Sequence, residues 1–526
     1  MIAAAGALSL GVAGVVATSV ATFAEDPAYG TINQNATGSI VVHKHLKNAT
    51  GTMGKVDGTA DSGGDGVDGV TFKAYKVSGL DLSKPTDWDK LAALADNIPS
   101  NACTDPAHPT LGDNAPAVDA QAAAEGTTAG GGKTTLAGLS VAAYLVCETE
   151  APADIVEKAK PFVVTIPFPN TTNGGEGKWL YDVHAYPKNQ KIEIDKTISD
   201  QTVNGVGLGS RVQFPVSTTI PSLDTDTNFT YFYLRDQLDN RLSDGKVDKV
   251  TLGADTLAEN TDYEQDYVPS NTGRLVVVSF TRAGLAKLKA NPNKKLEAIF
   301  SGTVSAIGDG TIKNQAQLIQ DTHYGAIPPN EPPSIPPNEP NNPPTSPEVS
   351  TDWGNAQLLK FDANSGAAKT GIKGAKFKVY NAAEPYAADC SAATKAGDAI
   401  TVNNKTEFVS DDAGLVAIDG LYVGDSVGSA GQGSQGATKR CYVVEEVEAP
   451  AGYVLPQKTT TGISVSKGAL AAATYSAEIA NNKQPVPQLP LTGANGQLLM
   501  TIGGISLGLI AVGSTMVIRS RKRSEA

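Results

Sequence analysis

Histidine, cysteine and helix-forming runs are all scarce in this 526-residue chain, and each scarcity removes a class of function. Five histidines, with no Gly-x-Ser-x-Gly or two-carboxylate cleft pattern, leave a secreted hydrolase without its usual machinery. The four cysteines have spacings that suit no zinc site, and no metal or cofactor is expected. Basic charge is in deficit. The 42 Lys and Arg against 55 Asp and Glu give a net charge of −13, which argues against a nucleic-acid partner and suits a soluble exterior. No Asp-x-Ser-x-Ser stretch marks a metal-dependent adhesion site.

What is present begins at the two ends. Met1 to Ala24 is uncharged, rich in Ala, Gly and Val, and ends Ala21-Thr22-Phe23-Ala24. It lacks a basic start but otherwise has the apolar body and small residues of a secretory signal cut after Ala24. Near the other end, Leu498 to Ile518 is long enough to cross a bilayer as a helix, and Arg519-Ser520-Arg521-Lys522-Arg523 would hold its end on the cytoplasmic side. Export gives the cysteines a meaning: Cys103 with Cys147, and Cys390 with Cys441, read as two disulfides, each within one domain.

The body between has room for roughly three or four domains. Apolar stretches rich in Val, Ile, Thr and Tyr alternate with Gly, Asn, Asp and Pro clusters, the pattern of all-β sandwiches of immunoglobulin type. Short helices are expected only at Trp88 to Ala95 and Arg282 to Ala290. Asp57 to Asp68 mixes Gly and Asp at irregular spacing and reads as a solvated loop rather than a calcium site. Residues 326–349 contain Pro-Pro-Asn-Glu-Pro twice and read as a stiff, extended spacer that separates the last domain from the others.

Lysines fall where strand periodicity points inward. Lys44 shares a face with Ile40, Val42 and Leu46, and Lys196 with Ile192, Ile194 and Ile198; Lys360 sits in Leu358-Leu359-Lys360-Phe361. Acids follow the same rule: Glu148 lies on the face of Tyr144 and Val146, and Glu446 on that of Tyr442 and Val444. Asp236 follows the aromatic run Tyr231-Phe232-Tyr233. Gly69 to Tyr75 and Gly374 to Tyr380 echo one another, so the first and last domains read as distant copies. Each domain also has an asparagine near its end. A buried amine loses its charge and a buried carboxyl keeps its proton, so lysine, acid and asparagine together are set for nucleophilic attack and loss of ammonia.

Three motifs carry a resemblance. Leu489-Pro490-Leu491-Thr492-Gly493, ahead of the apolar run and basic tail, resembles the cell-wall sorting signal of Gram-positive surface proteins. Trp179-Leu180-Tyr181-Asp182-Val183-His184-Ala185-Tyr186-Pro187-Lys188 is similar to the pilin motif Trp-x3-Val-x-Val-Tyr-Pro-Lys, with Ala185 as the departure. Tyr442 to Tyr453 resembles the E-box Tyr-x-Leu-x-Glu-Thr-x-Ala-Pro-x-Gly-Tyr, with Val444 and Val447 as departures; Tyr144 to Pro152 matches its front, but Asp154-Ile155 replaces the closing Gly-Tyr.

The chain therefore resembles a major shaft subunit of a sortase-assembled pilus, actinobacterial in type. The resemblance implies three tandem Cna-type immunoglobulin-like sandwiches with intradomain isopeptide bonds and disulfides. Its divisions are a signal at 1–24, an N-terminal pilin domain at 25–189, a middle domain at 190–325, the linker at 326–349, an E-box domain at 350–486 and the sorting signal at 487–526. The implied cross-links join Lys44 to Asn189, Lys196 to Asn314, and Lys360 to Asn481, with Asn482 as an alternative to Asn481. Glu148, Asp236 and Glu446 are the promoting acids. Lys188 would attack the thioester formed at Thr492 of another copy, a contact that does not close and so grows a fibre. The implied partners are further copies of the chain, pilus-specific and housekeeping sortases, a tip adhesin and peptidoglycan. The chain would support cell adhesion and turn nothing over. The alternative is a wall-anchored monomeric adhesin or minor pilin that binds a host or bacterial ligand.

Overall fold

The computed structural model describes residues 32–485, except 47–65, 96, 100, 171–177, 271–272, 326, 328–330, 335–341 and 428–433. The signal, the sorting motif with Thr492, the apolar run and most of the Asp57 to Asp68 loop lie outside the described residues. Among the described residues no helix is long and apolar enough to cross a membrane.

Strands dominate, as the alternating pattern requires. In Arg211–Thr219 every second residue is buried, the signature of a strand with one face on a core. The first domain pairs a sheet of Asp182–Ala185, Thr37–His43 and Lys133–Ser140 with a second sheet centred on Thr71–Val77 and Ala142–Glu150. Ala142–Glu150 is buried on both faces for seven residues. Tyr144 and Val146 point into the sandwich, while Leu145 and Cys147 enter a second core. That second core includes Leu91 of the helix Pro85–Ala95 and holds the Cys103–Cys147 disulfide. Cys390 and Cys441 form the other disulfide, and no described cysteine is free. The other expected helix occupies Arg282–Ala290.

The third domain repeats the layout of the first. Val349–Asp362 runs parallel to the closing strand Ala477–Lys483, as Thr37–His43 runs parallel to Asp182–Ala185. The correspondence reaches the backbone of the inward lysines. Lys44 N–H donates to Gly132 O at 2.7 Å and Lys44 O accepts from Val67; Lys360 N–H donates to Gly414 O at 2.7 Å and Lys360 O accepts from Ile372. Gly132 and Gly414 have φ of +79° and +78°, and a Cβ on either would stand 2.1 Å from the lysine carbonyl oxygen. Only glycine allows this approach.

The linker does not hold the third domain apart. Thr311–Asn314 of the middle domain pairs with Val349 to Asp352, so one sheet contains strands from both domains. Residues 344 and 346 bond to Leu318 and Ala316, and Val206 and Leu208 bond to Tyr422 and Gly420. One hydrophobic cluster runs through both domains and includes Phe214, Phe300, Trp353 and Val444. The expected separation of the third domain failed because proline-rich composition reports local stiffness, not which distant strand edge the flanking residues find. At the other seam, Thr322 and Gln320 donate to the carbonyls of Val156 and Ile155, so the turn after Glu150 is pressed onto the middle domain.

Candidate functional site

All nine residues expected to form three internal sites are buried; the first and third trios are fully hydrogen-bonded, and in the middle one only the lysine and the acid are bonded. In the first domain Lys44 Nζ lies 2.7 Å from Glu148 Oε2 and also bonds Asn189 Oδ1, while Asn189 Nδ2 donates to Glu148 Oε1 at 2.9 Å. In the third, Lys360 Nζ lies 2.7 Å from Glu446 Oε2 and 2.5 Å from Asn481 Oδ1, and Asn481 Nδ2 donates to Glu446 Oε1 at 2.6 Å. Asn481 is 1% exposed whereas Asn482 is exposed, so it is Asn481 that the strand brings to the lysine and the acid. The register is also shared: Phe72 pairs with Glu148 and Phe377 with Glu446, so each acid brings a phenyl ring beside its lysine. Glu148 differs in one contact, a third donor from Ala159 N at 2.9 Å.

The middle trio is built differently. Lys196 and Asp236 stand on opposite sheets and meet at 2.5 Å, with Phe214 and Phe300 walling the amine. Asn314 is 3% exposed, yet neither its Oδ1 nor its Nδ2 has a hydrogen-bond partner, and Asp236 Oδ1 has none. The carboxamide is near enough to Asp236 to bias its charge without an aligned bond. Unsatisfied amides are rare in cores.

Burial sets the protonation of these groups. It pushes Lys196 below its ordinary value and Asp236 above, both chiefly by desolvation, against their mutual attraction. Lys360 is lowered for the same reason. Moving the proton from amine to acid gives a neutral nucleophile beside a carboxyl able to hydrogen-bond a carbonyl. Such a set can join Nζ to Cγ and release ammonia.

Lys188 sits one residue from the first trio. It lies on the short strand Lys188–Asn189, parallel to His45–Leu46, with Lys188 opposite His45. Asn189 is fully buried by its bonds to Lys44 and Glu148, while Lys188 is partly exposed. Upstream, Val183 is fully buried and the Trp179 ring packs 5.6 Å from Trp88. Two features escaped sequence reasoning. His43 and His184 form a bonded pair beside this motif, and Arg440, 2% exposed, is ringed by Tyr386, Tyr422 and Tyr442. The outward periodicity of His43 was legible; the aromatic ring came from separate strands and was not.

Tandem β-sandwiches, two of them closed by parallel terminal strands and each with a buried Lys–acid–Asn trio, define a structural surface protein of the Gram-positive pilin class. Residues 35–190 match the family model of the Gram-positive pilin subunit D1, N-terminal domain, and residues 481–526 match the LPXTG cell wall anchor motif. Fimbrial subunit type 2 of Actinomyces naeslundii is 46% identical over 99% of this chain and 96% of its own length. Fimbrial subunit type 1 of Actinomyces viscosus is 28% identical over 99% and 97%. Among solved structures, the full-length major pilin SpaD from Corynebacterium diphtheriae superposes with a TM-score of 0.60 at 26% identity, covering 87% of this chain and 99% of that one. The major pilin SpaA of the same organism gives 0.55 at 26%, over 85% and 100%.

The chain belongs to the Actinomyces fimbrial subunit family. It is a pilus shaft subunit and not an enzyme, secreted and anchored to the cell wall.

Proposed function

We propose that this subunit polymerises covalently head to tail, Thr492 of one copy to Lys188 of the next, and cross-links itself through Lys196–Asn314, Lys360–Asn481 and Lys44–Asn189. The observation that carries the internal bonds is the recurrence of one buried trio in three domains. In each, the neutral lysine attacks the asparagine Cγ, the acid lends and recovers its proton, the C–N bond to the amide nitrogen breaks, and one ammonia departs. Asp236, Glu446 and Glu148 promote the step without being consumed. In the middle domain the reaction also removes an unsatisfied buried amide, which otherwise costs about 1–3 kcal/mol.

The link between copies is a two-step transfer. A sortase cysteine attacks the Thr492 carbonyl, releases the chain from Gly493 onward, and the Lys188 amine then displaces the thiol. A pilus-specific sortase carries out growth, a housekeeping sortase passes the last copy to peptidoglycan, and a tip adhesin caps the fibre. The apolar run 498–518 holds the chain in the membrane until the first step is complete. The test is a boiled detergent extract of walls from cells making the wild-type chain or Lys188→Ala. A high-mass ladder that collapses to monomer in the variant is expected. Monomer in both would leave a wall-anchored adhesin, and a ladder in both would place the acceptor elsewhere.

A further inference from the structure

Three of the chain's five histidines, His43, His45 and His184, lie on the strands that surround Lys188. His43 Nε2 and His184 Nδ1 are 2.8 Å apart, and the two rings lie edge to edge with centroids at 5.1 Å and planes within 22°. His43 also packs on Tyr186, stacked at 4.8 Å and 17°. His43, bonded edge-on to His184 and stacked on Tyr186, thus ties the three rings into one column-like cluster across two parallel strands. Tyr186 is only two residues from Lys188, and Pro187 between them has a fixed φ. Pro187 O accepts the His45 N–H at 3.2 Å, and Lys188 pairs with His45. The seat of the column is thus transmitted along a stiff tripeptide to the lysine.

We propose that His43 and His184 are positioning residues for Lys188, and that their shared hydrogen bond makes presentation of this lysine sensitive to acid. The inference rests on Lys188 being the acceptor. An N···N bond of this kind needs one proton between the facing nitrogens. One further proton on the pair is tolerated, because an imidazolium still donates to a neutral ring. A second places hydrogens on both facing nitrogens and two like charges in contact, so the bond breaks and the pair titrates as a unit.

The surroundings set the direction. Lys133 stands opposite His43 on the adjacent strand, and Asp182 lies on the strand of His184, bonded by Ser39 Oγ at 2.6 Å. Burial first, and Lys133 second, hold His184 below its ordinary value, with Asp182 opposing. Lys188 and His45 are further titratable groups on the paired strands, and the Tyr186 phenol stacks on His43. The column is intact at neutral pH and opens in acid, where Tyr186, and with it Lys188, loses its seat.

The test uses cells making the full-length chain, pulse-labelled and suspended in buffers from about pH 5 to about pH 8. The rate at which labelled chain enters the detergent-resistant ladder is measured for wild type and His184→Gln. Both meet the same sortase, so its own pH dependence cancels in the ratio. The ratio of the neutral rate to the acid rate should be about fivefold smaller in His184→Gln, because glutamine keeps a hydrogen bond to His43 but does not titrate. Superimposable profiles, or a constant offset at every pH, would overturn the proposal. If His184→Gln does not reach the wall, His43→Phe keeps the stack on Tyr186, and the same comparison decides. A ladder from Lys188→Ala would defeat the acceptor assignment instead, an outcome distinct from loss of the acid effect.

Discussion

Asn481→Ala should lengthen the protein, once its disulfides are reduced, by roughly 400 Å under tension. In a fibre linked from Thr492 to Lys188, force enters each copy at residue 188 and leaves near the C-terminal end of the third domain. A bond between Lys360 and Asn481 takes the chain between them, a separation of 121 residues, out of the force path. Drawn out at about 3.3–3.6 Å per residue, that segment spans roughly 400–435 Å, against a folded separation of one side-chain contact. The same variant should lose about 5 kcal/mol of stability, because a cross-link closing so long a loop restricts the unfolded chain. Single molecules of the mature protein, reduced so that Cys390–Cys441 no longer shields its loop, are held at residue 188 and at residue 485 and stretched to rupture. Wild type should show no extension of this length, Asn481→Ala should show it, and Lys44→Ala should match wild type because Lys44 lies outside the held span. A wild-type molecule that already yields roughly 400 Å from the third domain would refute the bond. A variant that yields nothing would refute the force path.

The reduced mature chain should weigh at least two ammonia masses less than its sequence requires, and intact mass spectrometry of Glu446→Ala should recover one of them; a wild-type mass equal to the sequence would end the cross-link reading. Asp425 is buried against Tyr422, and desolvation pushes its carboxyl up to about 6. Its folded value therefore lies above its unfolded one, so stability is fully present below about pH 4 and is lost as pH rises through about 6, by about 3 kcal/mol. Unfolding midpoints of the middle and third domains should show this acid-side gain, and Asp425→Asn should flatten it. Replacing Cys390 and Cys441 by serine opens a loop with a sequence separation of 51 and should cost about 4 kcal/mol; urea midpoints that stay put would show that the bridge contributes nothing.

Strand faces were legible because a lysine or acid in a period-two apolar run has only one direction to point. Lys196 among Ile192, Ile194 and Ile198 is the clearest case, and all four are buried as that rule requires. Asn481 could not be separated from Asn482 by period alone, because the closing strand has apolar residues at both parities; the parallel register with the Lys360 strand separates them. The junction of the second and third domains was illegible for another reason. Pairing of Thr311–Asn314 with Val349 to Asp352 depends on long-range register, and nothing in either segment names its partner. Arg440 in its ring of tyrosines was hidden in the same way, since its neighbours come from residues 386, 422 and 442.

That junction changes what the three trios can each do. The strand Val349–Asp362 carries Lys360 near one end and pairs Val349 with Asn314 at the other. If Lys196 and Asn314 are joined as proposed, tension that arrives at the Asn314 side chain has two routes onward. One follows roughly 34 residues through the Ala316–Tyr324 strand and the proline-rich segment; the other crosses the sheet directly into the strand of Lys360. While the sheet holds, load crosses it, and under the proposed cross-links the two sites would behave as one rigid unit. The first trio stands apart from both routes, because Lys44 and Glu148 precede the residue where force enters. What it holds is Asn189, the immediate neighbour of Lys188. Under the proposed linkages the same three residue types serve two ends: in the middle and third domains they would resist extension of the shaft, and in the first they would fix the strand on which the next copy is attached.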